Sequence, residues 1–188
     1  SLALAAGPLA AQKEAPPAAG TPKAFRVPPR RTLTLANGMK VTLVRYGVVP
    51  KVAVSLDLAT GGIDEAPNEV ELAGLTASML VEGTTTRSGA DISRSAAEMG
   101  GSLGANAGDD NTTVGGEVLS EFAERYVALL ADVVLHPKFA EADVARLTAN
   151  RMRDNSIALS SPGQITRARF RQMIFGDHPY ARVFAPDS

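Results

Sequence analysis

Cysteine is absent from all 188 residues. Its absence excludes disulfides, thiolate metal sites, cysteine nucleophiles and lipid attachment through an N-terminal cysteine. Histidine is almost missing too. His136 and His178 are the two present, and they lie far apart in sequence. No pair of histidines one helical turn apart therefore exists to grip a metal ion. Neither sign of charge dominates, because the formal net charge is -1 and the 19 lysines and arginines form no long run. Nothing in that balance calls for a nucleic-acid partner. No stretch is apolar enough for long enough to make a membrane span. What remains is 45% hydrophobic and 21% charged, the profile of a soluble domain with enough length for a core.

The first eleven residues, SLALAAGPLAA, are apolar and alanine-rich but too short to cross a bilayer. They read as the tail of a secretory signal, with an Ala/Pro-rich leader as the alternative, and the signal reading predicts a periplasmic or secreted protein. Residues 12–30 carry Pro16, Pro17, Gly20, Pro22, Pro28 and Pro29, a composition that suits a linker or extended arm. Residues 31–188 are expected to form a single domain, incomplete at its C-terminus.

Alternation begins near Arg31. Leu33 and Leu35 alternate with threonines, Asn37-Gly38 follows, and Val41 and Leu43 then alternate with Lys40 and Thr42. An Asn-Gly pair between two alternating runs predicts a hairpin. Val52, Val54, Leu56 and Leu58 mark one face of a half-buried strand. Residues 71–82 read as a helix with Leu72, Leu75, Thr76, Met79 and Leu80 as its buried stripe and Gly83 as its stop. A second helix is expected over 90–99, with Ser88 or Asp91 near its start. A second hairpin is expected from 102–107 and 112–118 around Gly108-Asp109-Asp110-Asn111. Ser120 is a fitting N-cap for a helix that buries Phe122, Tyr126, Leu129, Leu130, Val133 and Val134 and ends before Pro137. Helices over about 141–159 and 162–175 complete the chain. The order predicts an α+β fold with helices packed on a largely antiparallel sheet.

The segment Leu72-Ala73-Gly74-Leu75-Thr76-Ala77-Ser78-Met79-Leu80-Val81-Glu82-Gly83-Thr84 resembles the zinc helix of the pitrilysin/insulinase peptidases. In that family the helix carries H-x-x-E-H, which brings two histidines to one Zn²⁺ and a glutamate to the metal-bound water. The corresponding positions here are Gly74, Ala77 and Ser78. Glycine and alanine carry no ligating group, and a neutral serine hydroxyl is a poor zinc ligand. The family's later acidic ligand aligns with Asp154, and its second acidic position with Leu147. The resemblance extends over 31–180. It includes the first hairpin, the strand 54–62, the helix before Pro137 and Phe139, and His178-Pro179-Tyr180. The run Gly100-Gly101-Ser102-Leu103-Gly104-Ala105-Asn106-Ala107 is similar to the strand on which the family pairs an extended substrate.

The resemblance implies a pitrilysin/mitochondrial-processing-peptidase-like fold and no metal or other cofactor. It implies substrate contacts at Gly104, Ala105, Asn106 and Ala107, and no catalytic residue at the degenerate positions Gly74, Ala77, Ser78 and Asp154. It further implies a non-catalytic subunit that pairs with an intact-motif subunit and helps enclose an extended peptide. A peptide-binding or structural module without a catalytic partner is the alternative. Other polar residues read as structural. Asp154 beside Arg151 and Arg153 suits a solvated helix face. His178 precedes a proline in a turn, His136 suits the C-terminal end of a helix before Pro137, and Asp109-Asp110-Asn111 lacks the ligand spacing of a calcium loop. Ser160-Ser161-Pro162-Gly163 reads as helix punctuation, with no base placed to activate either serine.

Overall fold

The computed structural model describes residues 26–184 together with Gly20 and Ala24. The apolar opening 1–11 lies outside the described residues, as does most of the arm that follows it. The chain divides into two units, one ending at Val48 and one beginning at Val49.

The first unit holds an antiparallel hairpin of β1 (Arg30–Thr34) and β2 (Lys40–Val44), with Arg30 opposite Val44 and Thr34 opposite Lys40. The strand therefore begins one residue earlier than the sequence suggested. The turn spans three residues. Leu35 N–H donates to Met39 O at 2.9 Å, Gly38 N–H donates to Leu35 O at 2.9 Å, and Gly38 takes a left-handed φ of 86°. Asn37 Oδ1 accepts from Met39 N–H at 3.1 Å, which completes the turn chemistry.

The second unit is α+β. Its elements are β3 (Lys51–Leu58), α1 (Leu72–Leu80), α2 (Gly89–Glu98), β4 (Gly104–Ala107), β5 (Thr112–Leu119), α3 (Ala123–Leu135), α4 (Glu141–Leu159) and α5 (Pro162–Phe175). The three strands pair in the order β3-β5-β4, all antiparallel, so β5 is central and β4 forms an edge among the described residues. Val52, Val54, Leu56 and Leu58 point to the more buried side of β3, as the alternation requires.

The core joins Val114 and Val118 of β5 to Ile92 and Ala96 of α2, Met99 just beyond it, and Tyr126, Leu129, Leu130 and Val133 of α3. Each large side chain fully buried in this way contributes about 1.5–3 kcal/mol. The buried face of α3 matches the sequence periodicity, with Phe122 and Val134 packed at its margin. Gly116 of β5 is required by close approach. A Cβ there would stand 2.1 Å from Ser102 O and 2.8 Å from the Tyr126 hydroxyl. That hydroxyl donates to Ser102 O at 2.9 Å and ties α3 to the strand leading into β4. Burial raises the Tyr126 pKa above the ordinary tyrosine value.

Helix boundaries follow local chemistry. Ser88 caps α2 through a reciprocal pair. Its Oγ accepts from Asp91 N–H at 3.2 Å, and Asp91 Oδ2 accepts from Ser88 N–H at 3.3 Å. Ser120 is not the N-cap of α3. It opens a 3-10 turn over Ser120–Phe122, its side chain makes no capping bond, and its N–H donates to Pro50 O at 2.9 Å. The β3-β5 ladder thus claims the backbone of Ser120 and delays the helix by three residues. The last two long helices begin and end at the residues expected from their acidic and proline starts.

Candidate functional site

The site is organised by α1. Glu71 precedes it with a left-handed φ of 77°, which prevents the helix from starting at 71. The exposed N–H groups of its first turn are met from a distance. Glu65 Oε2 accepts from Glu71 N–H at 3.0 Å, and Oε1 accepts from Ala73 N–H at 2.7 Å. A carboxylate at a helix N-terminus also complements the helix dipole. Sequence reasoning missed Glu65, because a cap reaching across a loop leaves no fixed spacing to recognise. The C-terminal end also differs from expectation. Val81 rather than Gly83 closes α1, and Glu82 N–H turns back to Met79 O at 3.1 Å.

The buried face of α1 is Ala77, Met79 and Leu80, while Leu72 is 46% exposed and Thr76 is exposed. Met79 and Leu80 of the expected stripe are thus buried, whereas Leu72 and Thr76 are not and Ala77 takes their place. Small or apolar residues surround most of this helix, so periodicity alone does not single out a face.

Gly83-Thr84 fasten the end of this segment to the exit of α3. Gly83 O accepts from Lys138 N–H at 3.0 Å, and Thr85 N–H donates to His136 O at 3.0 Å. Thr84 is buried. Its Oγ1 accepts from Thr86 N–H and Arg87 N–H and donates to Asp132 Oδ2 at 3.0 Å. Arg87 pairs with the same carboxylate, and His136 Nδ1 lies 3.4 Å from its other oxygen. Burial pushes the Asp132 pKa up, but the hydrogen bonds from Thr84 and Arg87, the Arg87 charge and His136 outweigh it and hold it below the usual carboxylate value.

The positions matched to a zinc motif offer little to a metal. Gly74 presents backbone only. Ala77 is 1% exposed. Ser78 Oγ donates to Gly74 O at 2.9 Å within the helix. The space over Gly74 belongs to α4. Arg151 Nη2 lies 3.2 Å from where a Cβ on Gly74 would stand, with Cζ at 3.7 Å and Nη1 at 3.8 Å. Arg151 Nε is 3.8 Å from Glu71 Oε2, and Asn155 Nδ2 donates to the same oxygen at 3.1 Å.

On α4 the residues lining the hollow against α1 are Thr148, Arg151, Met152 and Asn155. Asp154 is exposed on the outer side, and Leu147 is half-buried one position before Thr148. Thr148 and Asn155, one residue after Leu147 and Asp154, are thus the positions that α4 turns toward α1. One step along a helix turns a side chain by about 100°, which carries Asp154 away from Gly74. Among the described residues no three of His, Asp and Glu converge as a metal would require.

Gly104, Ala105, Asn106 and Ala107 form β4. Ser102 N–H donates to Glu117 O at 3.2 Å and Gly108 N–H to Asn111 O at 2.7 Å, at the two ends of this ladder. Antiparallel pairing alternates. Gly104 and Asn106 therefore turn their backbone groups toward β5, and Ala105 and Ala107 turn theirs off the sheet edge. The C-terminal end of β4 meets α1 at a cleft of roughly 210 Å³, lined in part by Glu65, Glu71, Gly74, Ala107, Arg151 and Arg182.

The remaining polar residues are built into turns. His178 Nδ1 accepts from Tyr180 N–H at 3.2 Å and caps the turn after α5. Asp109 accepts from Arg171 Nη2 at 2.8 Å, and Asp110 accepts the Tyr180 hydroxyl. Ser160 Oγ donates to Ile157 O at 2.7 Å at the end of α4.

This arrangement of helix, edge strand and crossing α4 defines the class. The sequence profile of the insulinase (M16) peptidase family matches residues 40–177, and the chain belongs to that family. It is 28% identical over 148 residues to an uncharacterized zinc protease of Rickettsia bellii, covering 79% of this chain and 36% of that protein. It is 30% identical over 154 residues to an uncharacterized zinc protease of Mycobacterium tuberculosis, covering 82% of this chain and 35% of that protein. A crystal structure described as a peptidase M16 inactive domain from Pseudomonas fluorescens superposes with a TM-score of 0.75 at 27% identity, covering 82% of this chain and 38% of that one. The chain spans a little over a third of the length of these relatives. The zinc ion that the family implies does not fit here. Gly74 and Ala77 supply no donor, Ser78 is committed to its own helix, and a guanidinium lies where a ligand from Gly74 would project.

Proposed function

We propose that this chain is a non-catalytic module of an insulinase-family assembly, which helps to enclose and position an extended peptide for a subunit that retains the intact zinc motif. The observation that carries the reading is the pairing of an open edge strand with a neighbouring helix whose Gly74, Ala77 and Ser78 give a metal no strong ligand. β4 offers the backbone groups of Ala105 and Ala107 for strand addition, while Gly74, Ala77 and Ser78 offer no metal ligands. Gly104, Ala105, Asn106 and Ala107 are the substrate contacts in this reading. The fold around α1 is capped, buried and stitched to α3, which fits a changed role better than a decayed protein. The apolar N-terminal residues support action in the periplasm or outside the cell.

The purified chain alone should hydrolyse no peptide in a zinc-dependent manner. Mixed with an intact-motif family subunit from the same organism, it should raise that subunit's chelator-sensitive hydrolysis of extended peptides. Chelator-sensitive hydrolysis by the isolated chain would overturn the proposal. Peptide binding without any effect on such a subunit would favour a peptide-binding module that has no catalytic partner.

A further inference from the structure

The cleft at the end of β4 holds three carboxylates and two guanidinium groups, and they are not equally engaged. Both oxygens of Glu65 are taken by the backbone of α1. Glu71 accepts from Asn155 and faces Arg151 Nε. Asp109 is paired with Arg171. The donors are in surplus. Arg151 Nη1 and Nη2 make no hydrogen bond among the described residues, and the Arg151 side chain is 39% exposed. Across the cleft, Arg182 spends Nη1 on the carbonyl of Glu65 and has no carboxylate partner among the described residues. The missing side chain at Gly74 leaves room for the Arg151 guanidinium, which lines the same cleft as Ala107 and Gly108.

We infer that Arg151, assisted by Arg182, forms an anion-accepting subsite that receives a carboxylate of a peptide lying along β4. The inference rests on the peptide-positioning reading above and assigns it a substrate class. A cation occupies the hollow over Gly74 and has paired N–H groups to offer to a planar anion, the geometry at which guanidinium groups excel. Glu71, itself held by Asn155, faces Nε of the arginine and leaves the terminal nitrogens without a hydrogen-bond partner among the described residues. The carboxylate is that of the peptide's C-terminus or of an acidic side chain, and the chemistry of the subsite is the same for both.

The test uses the full chain and three acetylated peptides of alternating Val and Thr, followed by fluorescence anisotropy. One ends in a free carboxylate, one in an amide, and one in an amide after a terminal Glu. The free acid or the Glu-bearing amide should bind about 5- to 30-fold tighter than the plain amide, and whichever does so identifies the source of the carboxylate. Arg151→Met should erase the difference, Arg151→Lys should keep part of it, and Arg182→Met should reduce it. Equal binding of all three peptides, or discrimination that survives Arg151→Met in a folded variant, overturns the inference and leaves peptide positioning standing. Absence of binding by all three overturns peptide positioning itself, and the subsite with it.

Discussion

Arg151 of α4 lies across Gly74 of α1, with its Nη2 3.2 Å from the point where a side chain would begin. The two residues are therefore coupled, and installing metal ligands on α1 alone should not suffice to hold zinc. The combined variant Gly74→His, Ala77→Glu, Ser78→His should bind zinc well below stoichiometry while Arg151 remains. A cation beside the new ligands opposes the ion, and the new side chain must push the guanidinium aside. Adding Arg151→Ala and Asn155→Glu should raise zinc content sharply, since Asn155 and not Asp154 faces α1. Metal analysis of the dialysed proteins reads both outcomes. Equal zinc loading with Arg151 retained would contradict the coupling.

Tyr126 links the core to the approach of β4 through its 2.9 Å bond to Ser102 O. Tyr126→Phe keeps the ring but leaves a carbonyl without its partner. The expected loss is about 1–3 kcal/mol in urea unfolding. Gly116→Ala should cost more, because its Cβ would meet Ser102 O at 2.1 Å and Tyr126 Oη at 2.8 Å, neither at the end of a flexible chain. An unchanged midpoint in the Gly116 variant would refute the packing.

Asp132 gives the fold an acid-sensitive clasp. Its carboxylate joins Thr84, Arg87 and His136, and the net result is a lowered pKa in the folded state. A lowered folded pKa means that the stabilisation is present above the unfolded value of about 3.9 and is lost as pH falls through the folded value. Thermal stability should therefore drop below about pH 4. Asp132→Asn should lower the melting temperature at neutral pH and flatten that acid slope. A variant that retains the wild-type slope would show that other carboxylates control it.

The sequence made most of the scaffold legible where a single residue type punctuates the chain. Pro162 after Ser160-Ser161 separates α4 from α5, and Asn37-Gly38 closes the first hairpin. The site was less legible because its features depend on rotation and on distant partners. Asp154 attracts attention by its chemistry, but a helix turns by about 100° per residue, and packing selects Asn155 and Arg151. Glu65 caps α1 across a loop, a role no local pattern records. That Gly74, Ala77 and Ser78 offer no strong metal ligand could be read directly, whereas the arginine that lies over Gly74 could not.

Two neighbouring residues of β4 should respond in opposite ways to proline. Ala105 turns its N–H off the sheet edge, so Ala105→Pro removes no ladder bond, and an edge strand tolerates proline at such a position. Asn106 turns its N–H toward Thr113, so Asn106→Pro removes a ladder bond and sets the ring against β5. Ala105→Pro should therefore unfold within about 1 kcal/mol of wild type, whereas Asn106→Pro should lose about 3 kcal/mol or more. If extended peptides add to this edge, Ala105→Pro should weaken their binding by about tenfold through the lost N–H and the obstructing ring. Urea unfolding paired with anisotropy separates the two effects. Full peptide affinity in a folded Ala105→Pro variant would place the peptide elsewhere on the molecule.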